Sequence, residues 1–306
     1  MQTTLKSELR FEGLGLHSGR LARMTIRPAS AEHGIWFRRS DILVGDALVP
    51  ARWDAVEPTA LCTRLRNRAG VTVSTVEHVM AALAGTGIQN ALIEIDGPEV
   101  PILDGSSAPF VQAILSRGVR RLHAPVRAFE VLREVRVETG AGWAMLSPDD
   151  RLRIAFEIDF EDAAIGAQAL SLDMSNGTFV RELCDSRTFC RQADVDAMRE
   201  QGLALGGTLE NAVVVDGARV LSPGGLRHAD EPVRHKMLDA LGDLALAGAP
   251  ILGRYTGHRA GHAMTNALLH RLFAETDAVR LVACDADTAA RLPGVGAALA
   301  EISAVA

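Results

Sequence analysis

His235, Lys236, Asp239 and Asp243 lie in the stretch Asp230-Glu-Pro-Val-Arg-His-Lys-Met-Leu-Asp-Ala-Leu-Gly-Asp-Leu244, whose apolar residues recur at helical spacing. A helix advances about 1.5 Å per residue and turns once every 3.6 residues. His235 and Asp239 are therefore neighbours on one face, roughly 5–6 Å apart at Cβ. An imidazole and a carboxylate so placed can share one metal ion. Asp243 stands a turn further on, and Lys236 flanks the pair. Val233, Met237, Leu241 and Leu244 form the opposite side, with Leu238 and Ala245 at its margin. One side builds core and the other presents chemistry. By itself the pair reads more readily as an exposed i,i+4 contact worth roughly a few tenths of a kcal/mol than as a metal site. A catalytic metal centre needs a third ligand and a base from another element.

The elements that could supply them come earlier. Arg23–Arg27 and Asn90–Ile95 alternate as half-buried strands do. Ser74–Ala84 reads as a helix stopped by Gly85, and Ala108–Leu115 as a second one ending near Gly118. A boundary is expected near residue 125. Beyond it Phe129–Glu138 and Leu152–Phe160 alternate, Asp194–Gln201 is helical, and Asn211–Val215 is a strand. The helix carrying His235 follows, and Val279–Ala283 is a further strand. The second half repeats the theme at the same scale.

Bulk composition narrows the function. A chain of 306 residues, 48% hydrophobic and 23% charged, accommodates two domains of about 150 residues and a core that needs no staples. A net charge of −6 with no basic run argues against nucleic-acid binding. Cys62, Cys184, Cys190 and Cys284 show no CxxC spacing and read as free buried thiols of a reducing compartment. The first residues lack an apolar secretory core, and no apolar run reaches membrane-spanning length. A cytoplasmic monomer is expected.

Several other residues admit two readings. Ser74-Thr-Val-Glu77 has the form of a capping box, with Glu77 bonding back to the Ser74 amide. The residues alone favour that cap over a catalytic Glu77. The adjacent His78 reads as a helix histidine satisfied by a neighbour. Thr188, in Ser186-Arg-Thr-Phe189, is a hydroxyl at a strand or loop end. His258 and His262 sit in a glycine-bracketed loop that could reach a cleft or lie on the surface. Gly13-Leu-Gly-Leu-His-Ser-Gly19 matches no phosphate-binding fingerprint. Gly97–Gly105 is a rigid Pro/Gly loop, and Leu203-Ala-Leu-Gly-Gly207 is either a ligand-contacting flap or a turn.

Taken together these pieces are specific. Thr75–Gly85, Asp96–Ser106 and Val233–Asp243, joined by Gly13–Gly19, Ser186–Phe189, Leu205–Ala212 and Gly261–Asn266, resemble the UDP-3-O-acyl-N-acetylglucosamine deacetylases, zinc amidases of lipid A biosynthesis. The segments occur in family order over essentially the whole chain. The resemblance implies an α+β fold of two similar two-layer α/β domains, their helices sandwiched between two β-sheets. The first, residues 1–125, would carry Glu77 and His78. The second, residues 126–306, would carry His235, Asp239 and His262, with an apolar acyl-chain insert near 191–209.

The resemblance further implies one Zn²⁺ held by His78, His235 and Asp239, with Glu77 as general base and His262 stabilising or protonating the reaction centre. Lys236 and Thr188 would polarise the intermediate, and Asp243 would orient His262. Phe189, Val195, Met198, Leu203, Ala204, Leu61 and Cys62 would contact substrate. Two His and one carboxylate leave a coordination position open, as catalytic zinc requires. The implied substrate is a UDP-linked acylated amino sugar. Glu161-Asp162-Ala163 and Ala60 depart from residues common in the family; both changes bear on substrate contacts and leave the metal set intact. Other readings of the same residues are a metal amidase acting on a different N-acyl sugar nucleotide and a non-catalytic binder of lipid or sugar nucleotide.

Overall fold

A computed structural model describes residues 1–59 and 61–302; Ala60 and residues 303–306 lie outside the described residues. The fold is α+β. The first half builds a five-stranded sheet in the order Leu9–Leu14, Leu21–Pro28, Ala91–Ile95, Ile35–Arg39, Leu48–Pro50. Only its Ile35–Arg39/Ala91–Ile95 pair is parallel. Alternation aims Ala22, Met24 and Ile26, and Ala91, Ile93 and Ile95, at the interior. The second half builds a seven-stranded sheet around Ile251–His258. That strand pairs parallel to Arg127–Val131 and Leu152–Asp159 and antiparallel to Gly142–Ser147. No sheet among the described residues mixes strands from the two sides of residue 125.

The helices are α1 (Glu77–Gly85), α2 (Ala108–Arg117), α3 (Gln192–Glu200), α4 (Glu231–Ala245), α5 (His262–Ala274) and α6 (Ala286–Ala290). One contiguous apolar core joins the inner faces of both sheets to α1, α2, α4 and α5, running from Met24 and Ile93 through Val79, Leu83, Val233, Met237 and Leu241 to Ile154 and Leu268. The apolar side of α4 is thus buried as its spacing requires. Its polar side is buried as well, which excludes the exposed-pair reading of His235 and Asp239.

Three expectations need correction. Phe129–Glu138 is two strands, Arg127–Val131 and Val135–Thr139. Leu132, Arg133 and Glu134 are all exposed, so the alternation breaks where the chain changes partners. The helix expected from Ser74 starts at Glu77. Ser74 ends the strand Thr72–Ser74, and Thr75 adopts φ +57°, a strained value for a β-branched residue. The cysteines are all free, but only Cys62 and Cys184 are buried; Cys190 and Cys284 are half-buried. No helix of the described residues is long and apolar enough to cross a membrane.

Candidate metal centre and active site

The Thr75 turn aims the start of α1 at α4. It does so without a capping box, because no side chain caps α1. Instead Glu77 Oε2 accepts the Thr63 main-chain N–H at 3.1 Å. Opposite Glu77 stands Gly242, one turn beyond Asp239 on the same face of α4. A Cβ there would lie 2.9 Å from the Glu77 carbonyl carbon and 3.1 Å from its Cα. Glycine is what lets the two helices approach closely enough for their side chains to meet.

They meet at one point. His78 Nε2 lies 3.6 Å and His235 Nε2 3.3 Å from Asp239 Oδ1. One ligand atom from each of the three residues falls within 4.8 Å of the others, and all three residues are buried. His235 Nδ1 bonds the Ser186 carbonyl at 3.0 Å, which leaves Nε2 to face Asp239. The ligand set fits a metal on a second count. Asp239 Oδ1 is buried with no hydrogen-bond partner, a costly state for a carboxylate oxygen that a cation at this point relieves. Zinc accepts two imidazoles and one carboxylate.

Around this point stand the other expected residues. His262 is the first residue of α5, following Gly261, and is not in a loop with His258. Its Nδ1 is 2.8 Å from Asp243 Oδ2. Its Nε2 lies 3.7 Å from Glu77 Oε1 and 3.6 Å from Asp239 Oδ2. His258 ends its strand far from this cluster, bonding Glu157 and stacking on Trp143. Lys236 Nζ donates to Asp239 Oδ2 at 2.9 Å. Thr188 precedes the strand Phe189–Arg191, held by its N–H on Gly105 and its carbonyl on Val213. Gly105 closes the rigid loop from Gly97, so that loop props Thr188.

Burial and charge divide the ionisable groups. Burial pushes Glu77 up to about 7, although His262 pulls it down. Burial alone would lower His262, but Asp243, Asp239 and Glu77 overcome it and raise it to about 9. Burial holds His78 down near 3, helped by His235, and lowers His235 as well. Both are therefore neutral and able to ligate. Asp239, despite burial, is held low by His235 and Lys236. Burial opposes the charge on Lys236, but Asp239 raises its pKa. The result is an ionised ligand, a carboxyl that ionises near neutrality and a cationic imidazole beside it.

A cavity of about 790 Å³ opens from this cluster. Thr188, His235, Lys236, Asp239 and His262 face it at one end; Phe189, Val195, Met198, Leu203, Ala204 and Leu61 line the rest. Cys62 is not among the lining residues. It is buried, and burial together with Glu77 raises its thiol to about 11. The insert's tip is neither a free flap nor a plain turn. Leu205 and Gly206 donate their N–H groups to the carbonyls of His17 and Leu16, docking 203–207 on the glycine-rich loop. Glu99 fixes that loop by accepting the N–H groups of His17 and Ser18 and the Thr75 hydroxyl.

Sequence reasoning missed His17, which faces the cavity with both ring nitrogens unpartnered. It also missed Thr63 and Asn266. His17 could have been found in Gly13–Gly19, where a histidine between glycines has no core role. Nothing local marks the other two.

Comparison with known proteins now adds to the geometry. The family model described as UDP-3-O-acyl N-acetylglycosamine deacetylase matches residues 2–274. A protein of Phenylobacterium zucineum named UDP-3-O-acyl-N-acetylglucosamine deacetylase is 49% identical over 280 residues, covering 92% of this chain and 96% of its own. Proteins of the same name from Idiomarina loihiensis and Shewanella oneidensis are 47% and 44% identical. The first match covers 94% of each chain, and the second covers 96% of this chain and 97% of the relative. With near-complete coverage on both sides, the chain belongs to the UDP-3-O-acyl N-acetylglycosamine deacetylase family.

Proposed function

We propose that this chain is a zinc-dependent amide hydrolase. It removes the N-acetyl group of UDP-3-O-acyl-N-acetylglucosamine in lipid A biosynthesis, releasing acetate and the free amine. The observation that carries this reading is the buried, partnerless Asp239 Oδ1 beside two neutral imidazoles, with Glu77 3.7 Å from His262, which lines a partly apolar cavity together with Asp239.

Hydrolysing an amide requires a base for water, donors for the developing oxyanion and an acid for the departing amine. His78, His235 and Asp239 would hold the zinc, which when bound would supply Lewis-acid polarisation and acidify water. Glu77 takes the proton of the attacking water. Its Oε2 is tied to the Thr63 N–H, so Oε1 is the oxygen left to act. The oxyanion is stabilised by Lys236, whose ammonium has three N–H donors with one on Asp239, and by the Thr188 hydroxyl. A donor of this kind contributes roughly 2.7–4 kcal/mol in comparable sites. His262 gives the amine its proton from Nε2, while Asp243 on Nδ1 holds the ring and its charge. The acyl chain lies along Phe189, Val195, Met198, Leu203, Ala204 and Leu61.

The same reading divides the chain at residue 125 into two similar domains, each with its own sheet, and takes the protein as a cytoplasmic monomer. Four unpaired cysteines support the compartment; sedimentation tests the monomer. Acetate release from the 3-O-acylated sugar nucleotide, with and without chelator and after zinc add-back, tests the activity. Equal rates on UDP-N-acetylglucosamine lacking the acyl chain would point to a different amidase. A zinc-loaded chain releasing no acetate would be a binding protein.

A further inference from the structure

Thr63 is 1% exposed and touches both the base and the group that holds the acid. Its main-chain N–H donates to Glu77 Oε2 at 3.1 Å, and its hydroxyl donates to Asp243 Oδ1 at 2.5 Å. The direction of the second bond is fixed by Asn266. The Asn266 side-chain amide nitrogen donates to the His262 carbonyl at 2.9 Å and to Thr63 Oγ1 at 3.2 Å. A carbonyl only accepts, so the amide cannot be flipped. With Oγ1 accepting from Asn266, the single hydroxyl proton goes to the carboxylate. Asp243 Oδ2 is then the oxygen left for His262 Nδ1 at 2.8 Å. The chain Asn266, Thr63, Asp243, His262 closes on itself, because Asn266 and His262 lie one turn apart on α5.

We propose that Thr63 is a positioning residue for the hydrolysis: it sets His262 Nε2 against Glu77 Oε1 by bonding to Glu77 itself and to Asp243, which holds His262. No other residue among the described residues hydrogen-bonds the carboxylates of both Glu77 and Asp243, and Asp243 is itself 1% exposed, so no bulk water replaces the hydroxyl. Without it, Oδ1 is orphaned, and the carboxylate is free to rotate and to release the ring. The inference rests on the reading of Glu77 as base and His262 as acid.

The test compares Thr63→Val, Thr63→Ser and Thr63→Ala in the zinc-loaded enzyme, alone and in an Asp243→Ala background. The backbone N–H to Glu77 survives all three, so only the hydroxyl is probed. Thr63→Val and Thr63→Ala should lower kcat roughly 10–100-fold with KM within about twofold, while Thr63→Ser stays within about threefold of the wild type. In Asp243→Ala the further loss from Thr63→Val should shrink to about twofold or less, since the hydroxyl acts through Asp243. The downfield Nδ1–H proton of His262, followed by NMR in the protein as purified, should be lost or exchange faster in the Val and Ala variants and persist in Ser. Wild-type kcat in Thr63→Val, or an equal loss with and without Asp243, overturns the proposal. Should Val not fold, Ala decides it by the same criteria. If the wild type releases no acetate, the functional reading fails, and the imidazole resonance alone decides whether Thr63 positions His262.

Discussion

Replacing Gly242 by Ala tests how tightly the centre depends on helix approach. The added Cβ would stand 2.9 Å from the Glu77 carbonyl carbon. Its nearest neighbour would be the Glu77 carbonyl oxygen, which it would overlap outright, and ordinary contact begins at 3.4 Å, so α1 and α4 must part by more than an ångström at this crossing. The obstacle is backbone and cannot rotate away. His78 rides on α1, and His235 and Asp239 on α4, so the ligand set opens by a similar amount. Metal–ligand distances tolerate about 0.2 Å, so the shift exceeds what the site absorbs. Overpacking of this kind costs about 1–3 kcal/mol of stability. Zinc affinity should fall at least about tenfold, and kcat should fall by about tenfold or more even when zinc saturates the site. Chelator competition measures the first, steady-state kinetics at high zinc the second, and thermal melting the stability cost. A folded Gly242→Ala enzyme with wild-type zinc affinity and kcat would refute the argument that close backbone approach sets the site.

Other expectations follow from the same geometry. His78→Ala and Asp239→Ala should lose bound metal and turnover together, whereas Glu77→Gln should keep stoichiometric zinc and lose turnover; metal analysis beside the kinetic assay separates the two. The base works ionised, above its pKa, and the acid works protonated, below its own. Activity should therefore rise through about pH 7 with Glu77 and fall through about pH 9 with His262, the rising limb moving lower when a dication sits beside the carboxyl. Asp243→Asn should pull the falling limb down, because burial alone lowers His262; an unmoved limb in the pH profile of kcat/KM would detach it from His262. Val195→Phe adds bulk within the cavity and should raise KM for long acyl chains far more than for short ones, as a chain-length series would show.

The parts of the centre that were legible in the sequence were those encoded within one element. The two-sided pattern of α4 revealed which residues face the chemistry and which face the core, and the alternation of Leu21–Pro28 and Leu152–Asp159 set their inner faces. The local residues favour a cap for Glu77 because Ser74-Thr-Val-Glu77 has the right letters, and only the resemblance points to a base. What decides against the cap is the φ of Thr75, held by Glu99, a residue of another loop. Thr63 was invisible for a related reason: its partners Asp243 and Asn266 lie 180 and 203 positions away, and a lone threonine near a strand carries no periodic signal. Phe129–Glu138 looked continuous because its period is preserved on either side of the exposed break. The insert read as either flap or turn because its partners, the carbonyls of Leu16 and His17, have no side-chain signature.

The ligands come from helices on opposite sides of residue 125. Neither portion of the polypeptide carries all three candidate ligands, so capture of a metal by the full set would report that both portions have folded and closed on one another. Ligation then reinforces that closure: an ion present at about a thousand times its dissociation constant adds about 4.1 kcal/mol to the native state. Loading of a metal would thus serve as a checkpoint on assembly, and a chain closed out of register would remain both inactive and unsecured.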